Sequence, residues 1–224
     1  SQIELLVWAY LAKDTEMLRV YSTGEDTHSE IARLLYKEFH AGEFPRCPHC
    51  EEFRRLAKTV VYALQNGATV WGVAREAQIS LEESENIVSL FFSRFPQLLE
   101  YQEAVGKEAE SGETKTLWGR IQKDSGVFSF DRWVREEAKR NLITHTRQGT
   151  AADLIKQAKV NCYQAGYLPV LTVHDELVNE VREQALDKVI ADMLQCMRAM
   201  DLGVPIRIHV KVGDNWGEMK DYGD

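Results

Sequence analysis

Residues 169–181 read PVLTVHDELVNEV, and this stretch indicates the fold more clearly than any other part of the chain. Its branched apolar residues predict two short strands that meet at a turn around Asp175. Tight hairpins favour pairs such as Asn-Gly, whereas this turn carries His174, Asp175 and Glu176. Local rules broken in this way often mark functional sites, and Mg²⁺ prefers carboxylate oxygens. Taken alone, the tripeptide is also typical of a polar surface turn.

The residues after this hairpin predict one helix and one further strand. Apolar residues between positions 186 and 197 share one face of an amphipathic helix. From Val204 to Val212, apolar and polar residues alternate as they do in a half-buried strand. The C-terminal quarter therefore predicts a small antiparallel sheet backed by helices.

Most of the chain before the hairpin has helical periodicity. Helices are predicted over the first dozen residues, from a capping box at Thr27–Glu30, from Glu51 to about Asn66, from a capping box at Ser80 and Glu83, from Gln97 towards Gly112, around Arg132 and from Thr150. Residues 114–130 are predicted to be irregular. The fold class is α+β, a small sheet with a long helical insertion.

Composition places the chain among globular proteins of a reducing compartment. The 224 residues are 44% hydrophobic, which is enough for a sizeable core. No apolar run reaches the roughly 18 residues that a membrane span needs, so no membrane is expected. The four cysteines are too scattered for a disulfide framework, and this favours the cytoplasm.

The charge pattern is compatible with nucleic acid although the net charge is −8. Residues 115–159 carry ten basic and five acidic side chains, whereas residues 175–224 carry six basic and eleven acidic ones. A basic stretch beside an acidic region suits a protein that holds a phosphate backbone near bound cations. A solvated charged surface explains the same pattern.

A second candidate site is a helix face on which side chains recur every four residues. Arg54, Lys58, Tyr62 and Asn66 present two cations, an aromatic ring and an amide. Cations neutralise a triphosphate, and an aromatic ring one turn further on can meet a base or sugar. A solvated basic stripe with one docked ring is the alternative.

Six motifs follow one another along the chain. They are SQIEL (1–5), DTHSE (26–30), RRLAKTVVY (54–62), TLWGR (116–120), RQGTAADL (147–154) and VHDE (173–176). In this order they closely resemble the polymerase domain of bacterial DNA polymerase I and its phage relatives, family A. The resemblance covers nearly the whole chain.

The resemblance implies a polymerase palm at residues 1–25 and 146–224 and mostly helical fingers at residues 26–145. It implies template-directed DNA synthesis, in which two Mg²⁺ ions, or Mn²⁺, assist deoxynucleotidyl transfer to a primer 3′-hydroxyl. The implied partners are primer-template DNA and deoxynucleoside triphosphates, in a bacterial or phage-infected cell. A non-catalytic DNA-binding or assembly subunit that has kept the fold is the alternative.

The resemblance also assigns roles to residues on the metal and DNA side. Asp175 and Glu176 match metal-binding catalytic carboxylates, and His174 matches a residue near the primer terminus. Gln148 matches a residue that touches the minor groove of the primer-template, and Arg147 beside it is grouped with the DNA-binding residues.

On the nucleotide side, Arg54 and Lys58 match cations that bind the incoming triphosphate, and His28 is grouped with them. Lys58 is also counted among the catalytic residues, and Glu4 matches an acid that crowds a ribose 2′-hydroxyl. Tyr62 stands where many members have Phe, which predicts ready acceptance of dideoxynucleotides. Asn66 stands where the family usually has Tyr, so stacking on the template base and the partnership with Glu4 are both in question.

The first motif of the family reads Asp-Tyr-Ser-Gln-Ile-Glu-Leu, and this sequence starts at its Ser. That Asp is the second metal-bridging carboxylate, and the residues before it form a central palm strand. We therefore expect an incomplete palm sheet and an inactive isolated chain, with a partner fragment that supplies the thumb and the Asp. A truncation and an intein junction at Ser1 are the alternatives to a split polymerase.

Cys47-Pro48-His49-Cys50 contains a C-x-x-C pair. An ordinary loop is the favoured interpretation because no second pair exists to complete a zinc site. Structural Zn²⁺ held by Cys47 and Cys50 with His40 or His49 is a minor alternative. A redox pair is disfavoured because the preceding segment is rich in Pro and Gly.

Overall fold

The computed structural model of the chain describes residues 2–22, 26–39, 50–200, 202–204 and 206–222. Two compact units are present, Ser1–Ala151 and Ala152–Asp224. The division into palm and fingers at residues 25 and 145 stays a prediction. The α+β class is confirmed, because helices predominate and the strands form small antiparallel pairs.

The first unit is mainly helical. Its helices are α1 (Gln2–Ala12), α2 (Thr15–Ser22), α3 (Thr27–Phe39), α4 (Cys50–Gln65), α5 (Val70–Ala77), α6 (Leu81–Arg94), α7 (Pro96–Ala109) and the first part of α8 (Arg132–Gln164). Residues from α1 to α7 share one apolar core, in which Trp8, Phe91 and Leu98 are fully buried. Burial of three large side chains contributes several kcal/mol, at about 2 kcal/mol each.

The predicted cap is present at α6, whereas the cap of α3 differs from the prediction by one residue. Ser80 and Glu83 form the predicted reciprocal capping box before α6. At α3, however, the capping residue is Asp26 rather than Thr27. The Ser29 amide donates to Asp26 Oδ2 at 2.8 Å, while Thr27 is buried at the first helical position. Asp is the stronger cap because its carboxylate accepts the free amides and its charge favours the helix N-terminus.

Residues 113–130 contain more regular structure than the sequence predicts. Strands β1 (Glu113–Lys115) and β2 (Ile121–Lys123) pair antiparallel, and a 3₁₀ turn follows at Ser125–Phe128. The predicted helix start at Thr150 is wrong, since α8 runs through this position without a break. The Thr150 hydroxyl donates to the Thr146 carbonyl one turn earlier, so Thr150 lies inside a helix and is not a cap.

The second unit contains the remainder of α8, the hairpin and one further helix. Strands β3 (Leu171–Val173) and β4 (Glu176–Val178) pair antiparallel as predicted, and α9 (Leu186–Arg198) confirms the amphipathic helix. The strand predicted from Val204 to Val212 is shorter in the structure. Among the described residues of this stretch, the strand contains β5 (Lys211–Val212) alone, and β5 pairs with β6 (Lys220–Asp221). The alternation of apolar residues identified the segment that contains a strand, but it did not identify the residue at which strand pairing begins.

The helices in the described part of the chain include none that is both long enough and apolar enough to span a bilayer.

Candidate nucleotide and metal sites

The predicted basic face lies on α4. Arg54, Lys58 and Tyr62 all belong to this helix, whereas Asn66 lies just beyond its end at Gln65. The backbone amide of Asn66 still donates to the Tyr62 carbonyl at 3.1 Å, so Asn66 continues the helical hydrogen-bond pattern of α4. Lys58 and Asn66 are exposed and Arg54 and Tyr62 are half-buried, which leaves the face accessible along its whole length.

Arg54 forms an ion pair with Asp26 that joins α4 to the start of α3. Its Nε donates to Asp26 Oδ2 and its Nη2 donates to Asp26 Oδ1, both at 3.0 Å. Burial raises the pKa of Asp26, but hydrogen bonds from Arg54 and Ser29 outweigh it and bring the pKa from 3.8 to about 2. The carboxylate is therefore fully ionised at neutral pH.

His28, in the first turn of α3, packs against the same face of α4. Its ring stacks on Tyr62 with 6.1 Å between the centroids, and Lys58 Nζ lies 5.8 Å from the Tyr62 centroid. Burial is the main cause that lowers the pKa of His28, and Arg54 and Lys58 act in the same direction while Asp26 opposes them. His28 is thus neutral at pH 7 and offers a hydrogen bond without a charge.

Four of the six residues assigned to nucleotide binding, namely Arg54, Lys58, Tyr62 and His28, are consequently brought together, although 34 positions of sequence separate His28 from Tyr62. Two cations, a neutral imidazole and an aromatic ring lie at one helix pair of the first unit. Such a set can bind a polyanion that also carries a flat apolar group.

Glu4 lies on α1, one turn before Trp8, and is half-buried. Arg147 of α8 has its guanidinium carbon 5.3 Å from the centre of the Trp8 ring. Burial lowers the pKa of Arg147 to about 10, while Tyr101 and Glu4 weakly oppose this shift. Among the described residues, its Nη1 and Nη2 have no hydrogen-bond partner.

The burial of Arg147 bears on its assignment as a DNA-binding residue, which stays a prediction. Just 2% of the residue is exposed, so its guanidinium cannot meet a phosphate unless it leaves Trp8. Gln148, the next residue, is exposed. A helix turns about 100° per residue, which explains why adjacent residues face protein and solvent.

The TLWGR and RQGTAADL motifs are in direct contact. The Leu117 amide donates to Thr150 Oγ1 at 3.0 Å, and Arg120 Nη2 donates to the Gly149 carbonyl at 2.8 Å. A Cβ at Gly149 would lie 2.7 Å from Thr116 Cγ2 and 2.8 Å from His145 Cε1. Gly149 is therefore required for this close approach, and the approach fixes the turn of α8 that carries Gln148.

The VHDE hairpin belongs to the second unit. Val173 pairs with Glu176, so His174 and Asp175 form a two-residue turn. His174 has φ +51°, a left-handed conformation in which Gly is usual at tight turns. All three side chains, His174, Asp175 and Glu176, are exposed at the turn.

Oxygen ligands from adjacent carboxylates suit a hard divalent cation, so Asp175 and Glu176 fit Mg²⁺ in donor type. They supply two carboxylates, and the described residues contain no group of three or more His, Cys, Asp or Glu placed to hold a metal.

Cys47, His49 and His40 lie outside the described residues, so the zinc alternative stays open there; Cys50 is described and has a free thiol.

Sequence reasoning missed two residues of these sites. Asp26 gave a signal, because an Asp directly before a capping sequence is itself a preferred cap. Trp8 gave none, since a tryptophan at helical spacing is more often part of a core than a platform for a cation.

Comparison with known proteins identifies the relatives of this arrangement. The profile of DNA polymerase family A matches residues 1–218. DNA polymerase I of Pseudomonas aeruginosa is 34% identical over 97% of the chain, and the thermostable DNA polymerase I of Thermus filiformis is 35% identical over 98%. The chain spans about a quarter of the length of these relatives.

A solved structure is similar as well. The polymerase domain of Pol1 from M. smegmatis, in complex with DNA primer-template and dNTP, matches 92% of the chain with a TM-score of 0.82 and 33% identity. The match covers 37% of that protein's chain.

Proposed function

Because this chain belongs to DNA polymerase family A, we propose that it binds the incoming deoxynucleoside triphosphate during template-directed DNA synthesis. The observation that carries this proposal is the cluster of Arg54, Lys58, Tyr62 and His28 on α3 and α4. We further propose that residues 26–145 act as fingers and that residues 1–25 and 146–224 belong to the palm.

The cluster suits a nucleoside triphosphate for chemical reasons. Lys58 is a compact charge on an exposed, flexible side chain, whereas Arg54 has a planar fork that matches phosphate oxygens. Neutral His28 can donate one hydrogen bond without adding repulsion to the two cations. The Tyr62 ring offers an apolar surface to a base or sugar, which phosphate alone would not need.

In catalysis these side chains act on the departing pyrophosphate. Negative charge accumulates there as the bond to the α-phosphorus breaks, and cations bound to the triphosphate stabilise that charge. Template pairing supplies most of the base selection. Gln148 is exposed on α8 and is assigned to contact with the primer-template. Glu4 is assigned to crowding the ribose 2′-position.

Asp175 and Glu176 would hold the divalent cation, with His174 directed at the primer terminus. Two such ions supply charge neutralisation and activation of the primer 3′-oxygen. The protein's part is to present both carboxylates at the tip of a hairpin whose backbone is fixed by strand pairing.

Primer extension by the complete polymerase that contains this chain tests the proposal. We expect Lys58→Met to lower kcat/KM for the nucleotide by about 100-fold or more, with the Kd for primer-template unchanged. Lys107→Met removes an exposed lysine of α7 and serves as the matched control. Equal activity of both variants would contradict the assignment of Lys58.

Asp175→Ala separates an enzyme from a binding subunit. We expect this variant to lose DNA synthesis and to keep its affinity for primer-template, because the hairpin keeps its strands. If the unaltered protein binds primer-template but extends it with neither Mg²⁺ nor Mn²⁺, the non-catalytic DNA-binding subunit becomes the better description.

A further inference from the structure

We propose that Asp26 is the positioning residue for Arg54: it fixes the guanidinium so that one edge stays open to the triphosphate. This inference deepens the proposed function and rests on it. Asp26 itself need not touch the nucleotide, because its effect is transmitted through the arginine.

The geometry of the ion pair shows which edge is used. Asp26 binds the side edge of the guanidinium, formed by Nε and Nη2. The end edge, formed by Nη1 and the second proton of Nη2, points away from that carboxylate because the group is planar and rigid. Two parallel hydrogen bonds to a phosphate can form on this end edge while the pair with Asp26 persists. Asp26 therefore supports the substrate contact and does not compete with it.

Asp26 is itself held in place. Its Oδ2 accepts the Ser29 amide and the Ser29 hydroxyl, each at 2.8 Å, as part of the cap of α3. The carboxylate thus links the first turn of α3 to a side chain on α4, 28 positions later. His28 lies in that same first turn and stacks on Tyr62. One capping residue consequently sets the position of two groups that face the nucleotide.

The expected effect falls on substrate binding. An arginine side chain has several rotatable bonds, and an arginine that is not held in place loses conformational freedom when it binds a phosphate. With Asp26 in place, the loss has already occurred before the nucleotide arrives. Without it, binding weakens while the bound complex reacts at the same rate. KM for the nucleotide should rise and kcat should stay nearly constant.

Asp26→Asn isolates this effect, because Asn caps a helix about as well as Asp. Its amide nitrogen would face Arg54 Nη2 with one donor against another, so the two-bond pair cannot form. Glu16→Gln is the matched control. It breaks an arginine–carboxylate pair of the same side-edge geometry, between Glu16 and Arg19 of α2, at 2.7 and 2.8 Å.

The experiment is steady-state single-nucleotide insertion by the complete polymerase that contains this chain, with dATP as the probe. Asp26→Asn should raise KM about tenfold with kcat within about twofold, and Glu16→Gln should change neither. On an Arg54→Lys background, Asp26→Asn should add nothing further, because the arginine through which it acts is gone.

The outcomes separate the two levels of the proposal. If the unaltered enzyme inserts no nucleotide, the proposed function fails. If the unaltered enzyme inserts the nucleotide, but Asp26→Asn keeps KM and lowers kcat, the substitution has reduced the fraction of active enzyme. Asp26 then has a structural role, and the inference is overturned. An additive increase on the Arg54→Lys background also overturns it, since Asp26 would then act by another route.

Discussion

Arg147 lies with its guanidinium carbon 5.3 Å from the centre of the Trp8 ring, and 2% of the residue is exposed. A desolvated cation over an indole gains about 2 kcal/mol. Burial of the charge costs several kcal/mol of solvation, and its Nη1 and Nη2 have no hydrogen-bond partner among the described residues, so the contact with Trp8 offsets the cost incompletely. The site keeps a charge that stability alone does not require.

Replacement of Arg147 by Met should therefore leave the free energy of unfolding within about 1 kcal/mol or raise it, because Met fills the space without a charge. Arg147→Ala should lower it by about 3 kcal/mol through the cavity that it leaves. Urea unfolding of the two variants compares them directly. The slope of log K against log salt concentration for primer-template binding should be unchanged in Arg147→Met. A slope reduced by about one would instead indicate that Arg147 contacts a phosphate directly.

Gly149→Ala should disrupt the contact between the 116–120 segment and α8. Its Cβ would lie within 2.9 Å of atoms in Thr116 and His145, which costs about 1–3 kcal/mol in free energy of unfolding. Gly106→Ala in α7 is the control, because its Cβ would meet Ile143 Cδ1 at an ordinary 3.8 Å. That change should stabilise by about 0.5–1 kcal/mol, and thermal unfolding should show opposite shifts for the two variants.

His174 tests whether the hairpin turn and its chemistry can be separated. His174→Gly should keep the hairpin, because Gly adopts positive φ freely, and should still reduce DNA synthesis through loss of the imidazole. His174→Val should cost about 1–2 kcal/mol because a branched side chain is strained at φ +51°. Hydrogen exchange of the Val170 amide, which donates to the Val178 carbonyl, reports on the hairpin. Equal protection in both variants would contradict the strain.

The ion pair of Asp26 should make the free energy of unfolding depend on pH in the acid range. The pKa of Asp26 is lowered from 3.8 in the unfolded chain to about 2, so its contribution is complete above pH 3.8 and is lost as the pH falls towards 2. Because the pair is partly exposed, the loss amounts to about 1 kcal/mol. The difference in free energy of unfolding between the unaltered chain and Asp26→Asn should shrink over this range and stay constant above pH 5. A constant difference down to pH 2 would contradict the lowered pKa.

Tyr62→Phe should increase discrimination against dideoxynucleotides by about tenfold or more, because it removes the phenol hydroxyl to which the resemblance assigns their acceptance. The ring, its stacking on His28 and its contact with Lys58 remain. The ratio of kcat/KM for dATP and ddATP measures the effect. Tyr163→Phe, an exposed tyrosine of α8, is the control, and an unchanged ratio in Tyr62→Phe would refute the prediction.

Local signals in the sequence predicted most of the helices and the β3–β4 hairpin. The capping box at Ser80 worked because both of its members lie within one turn and depend on no distant partner. Thr150 failed for the converse reason. Its hydroxyl accepts a bond from Leu117, 33 positions earlier, and a polar residue with such a partner resembles a cap without being one.

The candidate sites were predicted through motif order, but their internal contacts were not. Arg54 and Lys58 were assigned to the triphosphate from helical spacing and resemblance. The pairing of Arg54 with Asp26 spans 28 positions and depends on how α3 and α4 pack. Arg147 illustrates the same limit, because a charged residue in a polar motif is expected at the surface until its neighbour Trp8 is placed.

The two-residue turn between β3 and β4 has a consequence for insertions and deletions. Side chains alternate sides along a strand, so one added residue that shifts the pairing would turn every later side chain of β4 to the opposite face. Leu177 and Val178 would exchange surroundings, and Glu176 would leave its place beside Asp175. We expect this segment to tolerate changes of residue type far better than changes of length, so related chains should align here without gaps.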